Sequence, residues 1–214
     1  RLSIHAEVGI KAAKKAMKQA SVISSDIDAV IVGSSHSARN YPAVAIEIQK
    51  ELSIDGYAYD MLVGCSSTTF AINNAFSDIA SGLAKTILVI NPEISTPAVN
   101  FTHRDKHFIF GDGCAASIIQ KDSSSKKSFR ILDRKLFTQF SNNIRSNYSY
   151  LNRAAIDAKD NDDLLFHQYG RGVFKDVCPL VAKLISDQLE SNNINPKDIS
   201  KFWLHQANGK MIRL

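Results

Sequence analysis

An α/β fold made of two similar halves is predicted for this chain by three observations. Apolar periodicity switches repeatedly between helical and strand spacing; a helix, linker and strand near the N-terminus are echoed near the C-terminus; and the residues around Cys65 read as strand, sharp turn and helix. The elements follow in order. Ala6 to Gln19 carries a helical apolar stripe, and Ala29 to Val32 is a short apolar run with the length of a strand. Pro42 to Leu52 reads as a helix, and Tyr57 to Val63 as a strand rich in aromatic and apolar residues. Gly64 permits a tight turn, and Ser66 to Leu83 reads as a helix. Strands are predicted at Thr86 to Ile90, through Cys114 to Ile119, and at Phe129 to Leu136, with Ser123 to Lys127 a polar turn between the last two. After Thr138 no clear periodicity appears until a helix at Gly172 to Glu190, a strand at Phe202 to Leu204 and a helix opening at Ala207. Largely parallel strands are the expected arrangement.

The echo is specific in register. Asp26-Ile27-Asp28-Ala29-Val30-Ile31-Val32-Gly33 recurs as Asp198-Ile199-Ser200-Lys201-Phe202-Trp203-Leu204-His205, 172 residues later (26 against 198), each copy preceded by a helix and a polar linker. A unit repeated at that distance is too large for a solenoid and suggests two halves about a pseudo-twofold axis. His205 then ends its strand where Gly33 ends the matching one, and ligand sites of α/β sheets gather at strand C-termini.

Composition excludes several function classes. Of 214 residues, 44% are hydrophobic and 22% charged, the balance of a globular protein with a substantial core rather than a disordered one. No apolar run approaches the roughly 20 residues of a membrane span, and no signal-peptide pattern opens the chain, so a membrane role is not expected and a cytoplasmic location is the default. The net charge of +5 is spread without a basic stripe interleaved with aromatics, so nucleic acid is not the expected partner. Cys65, Cys114 and Cys178 are odd in number and without a C-x-x-C pair, which predicts free thiols and neither a disulfide framework nor a metal site. The chain opens on Arg1 and stops at Leu214 within an apparent helix, as a portion of a longer protein would.

Two residues stand out chemically. At the N-terminus of a helix, unpaired backbone N–H groups and the helix dipole favour the Cys65 thiolate and offer an anion site beside it; the alternative is a small buried hydrophobe. His205 is delivered by its strand into a turn, where a hydrogen-bonded structural histidine is the alternative to a catalytic one.

Taken together, Gly64-Cys65-Ser66-Ser67, Phe110-Gly111-Asp112-Gly113-Cys114-Ala115-Ala116, Gly170-Arg171-Gly172-Val173-Phe174-Lys175 and His205-Gln206-Ala207-Asn208 resemble the β-ketoacyl-acyl-carrier-protein synthase III family of thiolase-fold condensing enzymes. The resemblance runs over essentially the whole chain. It implies a thiolase-like fold of two duplicated βαβαβαββ-type halves in an αβαβα layered arrangement, incomplete at both ends here. The N-terminal half would occupy residues 1–122 and carry Cys65, and the C-terminal half 123–214 and carry His205. It also implies a two-step Claisen condensation, in which Cys65 takes an acyl group from acyl-CoA and malonyl-acyl-carrier protein then decarboxylates and attacks it, with no further cofactor. His205 would donate to the thioester carbonyl during decarboxylation. Carried over residue by residue, Arg104 matches a contact to the adenine end of coenzyme A, with a solvated loop arginine as the equal alternative. Gly170, Phe174 and Asn208 match the pantetheine channel, and Phe110 borders the acyl pocket or is simply a core aromatic. Lys210 stands where many members meet the carrier protein with arginine, keeping the charge but losing the bidentate fork.

The sequence departs from the family pattern in lacking the second donor asparagine and the late glycine-rich loop. Ser66-Ser67-Thr68-Thr69-Phe70 replaces a commonly small apolar turn and, with Asn100-Phe101 and the stretch Arg104 to Ile109, resembles a subgroup primed by medium-chain acyl groups. Such enzymes are usually homodimers. Two other functions use the same fold: an acyltransferase that passes the Cys65 acyl group to a different nucleophile without decarboxylation, and a non-catalytic partner subunit. Asp112, between glycines, is expected to fix a turn, and Cys114 and Cys178 to be core residues.

Overall fold

Ala29–Ser34 (β1) is buried at every residue and lies between two neighbours, which is why it reads as an unbroken apolar run rather than an alternating one. The computed structural model describes residues 1–104, 107–121, 128–147 and 164–213. Two compact units emerge, Arg1–Phe129 and a second that starts at Arg130.

In the first unit, Tyr57–Leu62 (β2), Thr86–Glu93 (β3) and Gly113–Gln120 (β4) join β1 in a sheet of order β2-β1-β3-β4. β2 and β3 run parallel to β1, with Ser34 opposite Leu62 and Val32 opposite Ile90, whereas β4 is antiparallel to β3. Helices Ile4–Ala20 (α1) and Val44–Glu51 (α2) pack with Val30, Val32, Leu88 and Ile90 into one core cluster. The alternate residues Ala29, Ile31, Ile87 and Val89 pack instead with Ala71 and Ala75 of Ser67–Ala80 (α3). The period-two alternation of a strand thus feeds two helix layers from one sheet.

Local devices fix the entries. Ser3 caps α1, its hydroxyl accepting from the Ala6 N–H at 3.2 Å, and Ser21 closes the helix in the left-handed conformation. Asp60 of β2 accepts from the Val44 and Ala45 N–H groups at 2.8 Å each, so a carboxylate on the sheet satisfies the open end of α2.

His5 is the anomaly of this core. It is 4% exposed, neither ring nitrogen has a hydrogen-bond partner among the described residues, and its ring meets His36 edge-on at 5.5 Å. Burial, and then the neighbouring His36, hold its pKa below the usual histidine value. The fold therefore favours neutral His5, while the unfolded chain takes up the proton more readily. Its contribution to stability is complete above the ordinary histidine pKa and declines as pH falls through that value towards the depressed one. Melting temperature is expected to fall between pH 7.5 and 5.5, and His5→Leu to flatten that fall; a scanning fluorimetry series in pH with an unchanged slope in the variant would refute it.

In the second unit, Ile144–Ser146 (β5) pairs antiparallel with Phe166–Gln168 (β6), and Gly170–Ser191 (α4) follows. The predicted strand at Phe129 to Leu136 is not formed. That segment is instead tied to α4 by polar contacts: Asp133 accepts from Asn192 at 2.6 Å and Lys135 donates to Asp187 at 3.0 Å. Phe129, Leu132 and Phe137 are 85%, 66% and 61% exposed, so the alternating pattern has no sheet face to bury. The predicted strand at Phe202 to Leu204 likewise has no ladder among the described residues, with Trp203 72% exposed and Lys201 over its ring. A strand exists only against a neighbouring strand, and among the described residues neither segment has one. The echo survives around the missing strand, since the 3₁₀ turns Ser24–Asp26 and Pro196–Asp198 occupy equivalent positions after α1 and α4. Ser123 to Lys127 lies outside the described residues.

Candidate active site

The C-terminal ends of the parallel strands β2, β1 and β3 bring together the turn that carries Cys65, the turn after Ser34, and Glu93. Past β2 the chain turns through Gly64 at φ +54°, a conformation suited to glycine, and runs as a 3₁₀ turn Gly64–Ser66 directly into α3. Cys65 is exposed at this junction, immediately ahead of the helix.

Ser67 anchors the turn. At 2% exposure its hydroxyl accepts from the Val63 N–H at 2.9 Å and lies 2.8 Å from both the Gly64 and Ser34 carbonyl oxygens, one of which takes its single proton. One buried oxygen therefore clips both sides of the Cys65 turn to the end of β1. Gly33 makes the approach feasible, because a Cβ there would lie 2.8 Å from the Ser67 carbonyl oxygen and 2.9 Å from Asn91 Nδ2. Asn91 in turn donates to the Gly33 carbonyl at 3.0 Å.

The adjacent turn is braced as closely. Ser34 Oγ lies 2.7 Å from the Pro92 carbonyl, Ser35 donates through its N–H and hydroxyl to Glu93 Oε1 at 2.8 and 3.2 Å, and His36 Nε2 contacts the Ile94 carbonyl at 2.8 Å. Asp112 accepts from the Thr96 N–H at 3.0 Å and from its hydroxyl at 2.8 Å, so it fixes the turn after β3 rather than its own.

Electrostatics at the thiol differ from the sequence expectation. The helix end was expected to favour the thiolate; although Cys65 reaches solvent, the crowding of protein around its sulfur, and next the Glu93 carboxylate, instead push the thiol up, with its own N–H acting in the opposite direction. Cys114 is pushed up to about 11 by burial, partly relieved by the Asn91 backbone N–H. Glu93 is itself raised by burial, and its Oε2 is buried without a partner among the described residues.

Of the remaining sequence candidates, Arg104 and Phe110 lie in the first unit, in the loop between β3 and β4. Gly170, Phe174, His205, Asn208 and Lys210 lie in the second. Gly170 and Phe174 sit at the start of α4, and open space surrounds Gly170 where a Cβ would stand. Asn208 caps the short helix Gly209–Ile212 (α5), its Oδ1 accepting from the Lys210 N–H at 2.9 Å, so the helix opens two residues later than Ala207. His205 is exposed in the segment before it. Ser67 and Glu93 were not singled out from sequence, although Ser67 stood within the quoted Gly64 to Ser67 turn. Among the described residues no group of three or more His, Cys, Asp or Glu side chains gathers to hold a metal, and no helix is long and apolar enough to cross a membrane.

Known proteins share this fold. The 3-oxoacyl-[acyl-carrier-protein] synthase III from Aquifex aeolicus superposes with a TM-score of 0.85 at 25% identity, over 100% of this chain and 65% of its own. The 3-oxoacyl-(acyl carrier protein) synthase III of Pseudomonas aeruginosa gives a TM-score of 0.83 at 18% identity, over 98% of this chain and 62% of its own. The fold is that of the thiolase-like condensing enzymes.

By sequence, a model of the 3-oxoacyl-[acyl-carrier-protein (ACP)] synthase III family matches residues 59–139. The chain is 50% identical over 98% of its length to a β-ketodecanoyl-[acyl-carrier-protein] synthase of Pseudomonas aeruginosa, of which it covers 60%. It is 31% identical over 97% of its length to a β-ketoacyl-[acyl-carrier-protein] synthase III of Chelativorans sp., of which it covers 64%. Within the thiolase-like class the chain is similar to members of the synthase III family, and it spans somewhat under two thirds of the length of these curated relatives.

Proposed function

We propose that this protein is an acyltransferase that condenses an acyl-CoA primer, held as a thioester on Cys65, with malonyl-acyl-carrier protein to give a β-ketoacyl-acyl-carrier protein, the step that begins fatty acid synthesis. The observation that carries the reading is the exposed Cys65 at the end of β2, on a turn clipped by Ser67 at the head of α3. In the first step the Cys65 sulfur attacks the acyl-CoA carbonyl. The tetrahedral oxyanion takes a hydrogen bond from the Cys65 N–H, coenzyme A leaves as its thiol, and the acyl group stays on sulfur. In the second step malonyl-acyl-carrier protein loses carbon dioxide to leave an enolate, whose oxygen accepts a hydrogen bond from His205. The enolate carbon attacks the Cys65 thioester and releases the sulfur. Arg104, Gly170, Phe174, Asn208 and Phe110 are assigned to binding the coenzyme A and acyl chain, and Lys210 to the acidic carrier protein. A homodimer is part of the reading, supported by β2, an edge strand with one side of its ladder open among the described residues. The location assigned is the cytoplasm.

The primer follows from the relative at 50% identity, whose name specifies a ketodecanoyl product. A ten-carbon product less the two carbons that malonyl contributes leaves an eight-carbon primer. Native mass spectrometry after incubation with acyl-CoA of graded length is expected to show an adduct on Cys65 with octanoyl-CoA well ahead of acetyl-CoA, on a species of two protomers. Subsequent malonyl-acyl-carrier protein should release carbon dioxide and the β-ketoacyl product. An adduct without carbon dioxide assigns transfer to another nucleophile, and no adduct with any primer assigns a partner subunit.

A further inference from the structure

We propose that Ser67 and Asn91 are positioning residues for acyl transfer at Cys65: two buried side chains that join the ends of β3 and β1 to the nucleophile turn and so hold the Cys65 N–H where the oxyanion forms. The inference rests on the reading of Cys65 as nucleophile and says what keeps its donor in place. Gly64, Cys65, Ser66, Thr68 and Thr69 are all exposed, so packing of their side chains does not fix the turn. Ser66, at the N-cap of α3, makes no capping hydrogen bond through its side chain among the described residues. The task falls to Ser67, the one buried residue between Gly64 and Thr69.

Ser67 reaches back to the start of the turn. Its hydroxyl accepts from the Val63 N–H at 2.9 Å, two residues before Cys65, and lies 2.8 Å from the Gly64 carbonyl and 2.8 Å from the Ser34 carbonyl at the end of β1. The Ser66 N–H closes the same turn by donating to the Val63 carbonyl at 3.1 Å. Asn91, 9% exposed, adds the second link: its Nδ2 donates to the Gly33 carbonyl at 3.0 Å and ties β3 to the part of β1 that Ser67 holds. Gly33 lets the two links meet. A Cβ there would stand 2.8 Å from the Ser67 carbonyl oxygen and 2.9 Å from Asn91 Nδ2, so the amide and the first residue of α3 fill the space that a side chain would need.

This geometry matters at one moment of the reaction. As the Cys65 sulfur bonds to the thioester carbon, the carbonyl π pair becomes an oxyanion; as the oxyanion collapses, the coenzyme A thiolate leaves and takes up the proton that Cys65 lost. The Cys65 N–H serves that oxygen only if already aimed at it, and a misplaced donor loses transition-state stabilisation without weakening substrate binding. Alkylation of the same sulfur by iodoacetamide displaces iodide at a saturated carbon and builds no oxyanion. The two reactions therefore separate placement of the donor from access to the thiol.

Single-turnover acylation by octanoyl-CoA and alkylation by iodoacetamide, both read at the Cys65 peptide by mass spectrometry, compare the parent with Ser67→Ala and Asn91→Ala. Ser67→Ala is expected to lower the maximal acylation rate about tenfold to a hundredfold, with the half-saturating octanoyl-CoA concentration and the alkylation rate close to those of the parent. Asn91→Ala, one link further out, is expected to lose less in the same direction, and it carries the test if Ser67→Ala does not fold. An undiminished maximal rate in the folded variants, or a fall in acylation matched by a fall in alkylation, overturns the assignment. Hydrogen exchange reads the brace with no substrate present: amides from Val63 to Ser67 should exchange faster in both variants while those of α1 stay unchanged, and equal exchange in parent and variants also overturns it. A parent that no acyl-CoA acylates refutes the nucleophile reading instead, and exchange then judges the brace by itself.

Discussion

Cys65→Ala is expected to show no acyl adduct with any primer and to lose condensation by about three orders of magnitude or more, because the nucleophile is the only group proposed to carry the acyl chain between the two steps. Removing the sulfur takes out the covalent intermediate but not decarboxylation, whose proposed donor is His205. The variant should therefore still release carbon dioxide from malonyl-acyl-carrier protein, slowly and without a new carbon–carbon bond. Cys65→Ser is a closer test, since it keeps the turn that Val63, Gly64 and Ser34 share through Ser67 and changes only the atom that attacks. Its hydroxyl is a far weaker nucleophile than a thiol, and the adduct is expected to form at a small fraction of the parent rate. Cys114 is the internal control: partly buried and pushed up to about 11, it should stay unacylated in both variants. Mass spectra of the intact variants after primer incubation decide the matter, and an adduct on Cys65→Ala would move the nucleophile elsewhere.

Much of the first unit was legible in the sequence. The apolar runs of β1 and β3 are buried on both faces and so announce themselves without context, and α1, α2 and α3 follow their helical stripes to within a few residues. Gly64, at positive φ, marked the turn at Cys65 because a residue without Cβ was needed there. What failed was the inference from pattern to strand in the second unit. Phe129 to Leu136 and Phe202 to Leu204 have strand composition, yet pairing is a property of two segments, and composition describes one. The short pair β5 and β6 escaped for the opposite reason, since three residues are too few to show a period. Within the site, the position of Cys65 was readable and its electrostatics were not. The Glu93 carboxylate that bears on it comes from the end of β3, two strands away, and only the register of β2, β1 and β3 puts both at the C-terminal end of the parallel strands. Ser67 was hidden similarly: its neighbour in the chain is Ser66, but its partners include Ser34, reached through the close approach that Gly33 permits.

His205→Ala is expected to separate the two steps. Acylation of Cys65 needs the sulfur and the oxyanion donor supplied by its own N–H, neither of which the substitution touches, so the octanoyl adduct should form at close to the parent rate. Decarboxylation needs a donor at the thioester oxygen where enolate charge accumulates as carbon dioxide departs. Loss of one such preorganised donor typically costs about 2.7–4 kcal/mol in the transition state, a fall of about 10²–10³-fold. The effect should appear in turnover rather than in the KM for malonyl-acyl-carrier protein, because the hydrogen bond strengthens only as charge develops. His205→Gln, which keeps an N–H donor of similar reach, is expected to recover part of the loss, as a purely electrostatic role demands and a proton-transfer role does not. Adduct formation by mass spectrometry and release of labelled carbon dioxide measure the two steps on the same preparation. If acylation in His205→Ala collapses in parallel with decarboxylation, the histidine serves the thiol as well, and the assignment of His205 to decarboxylation alone fails.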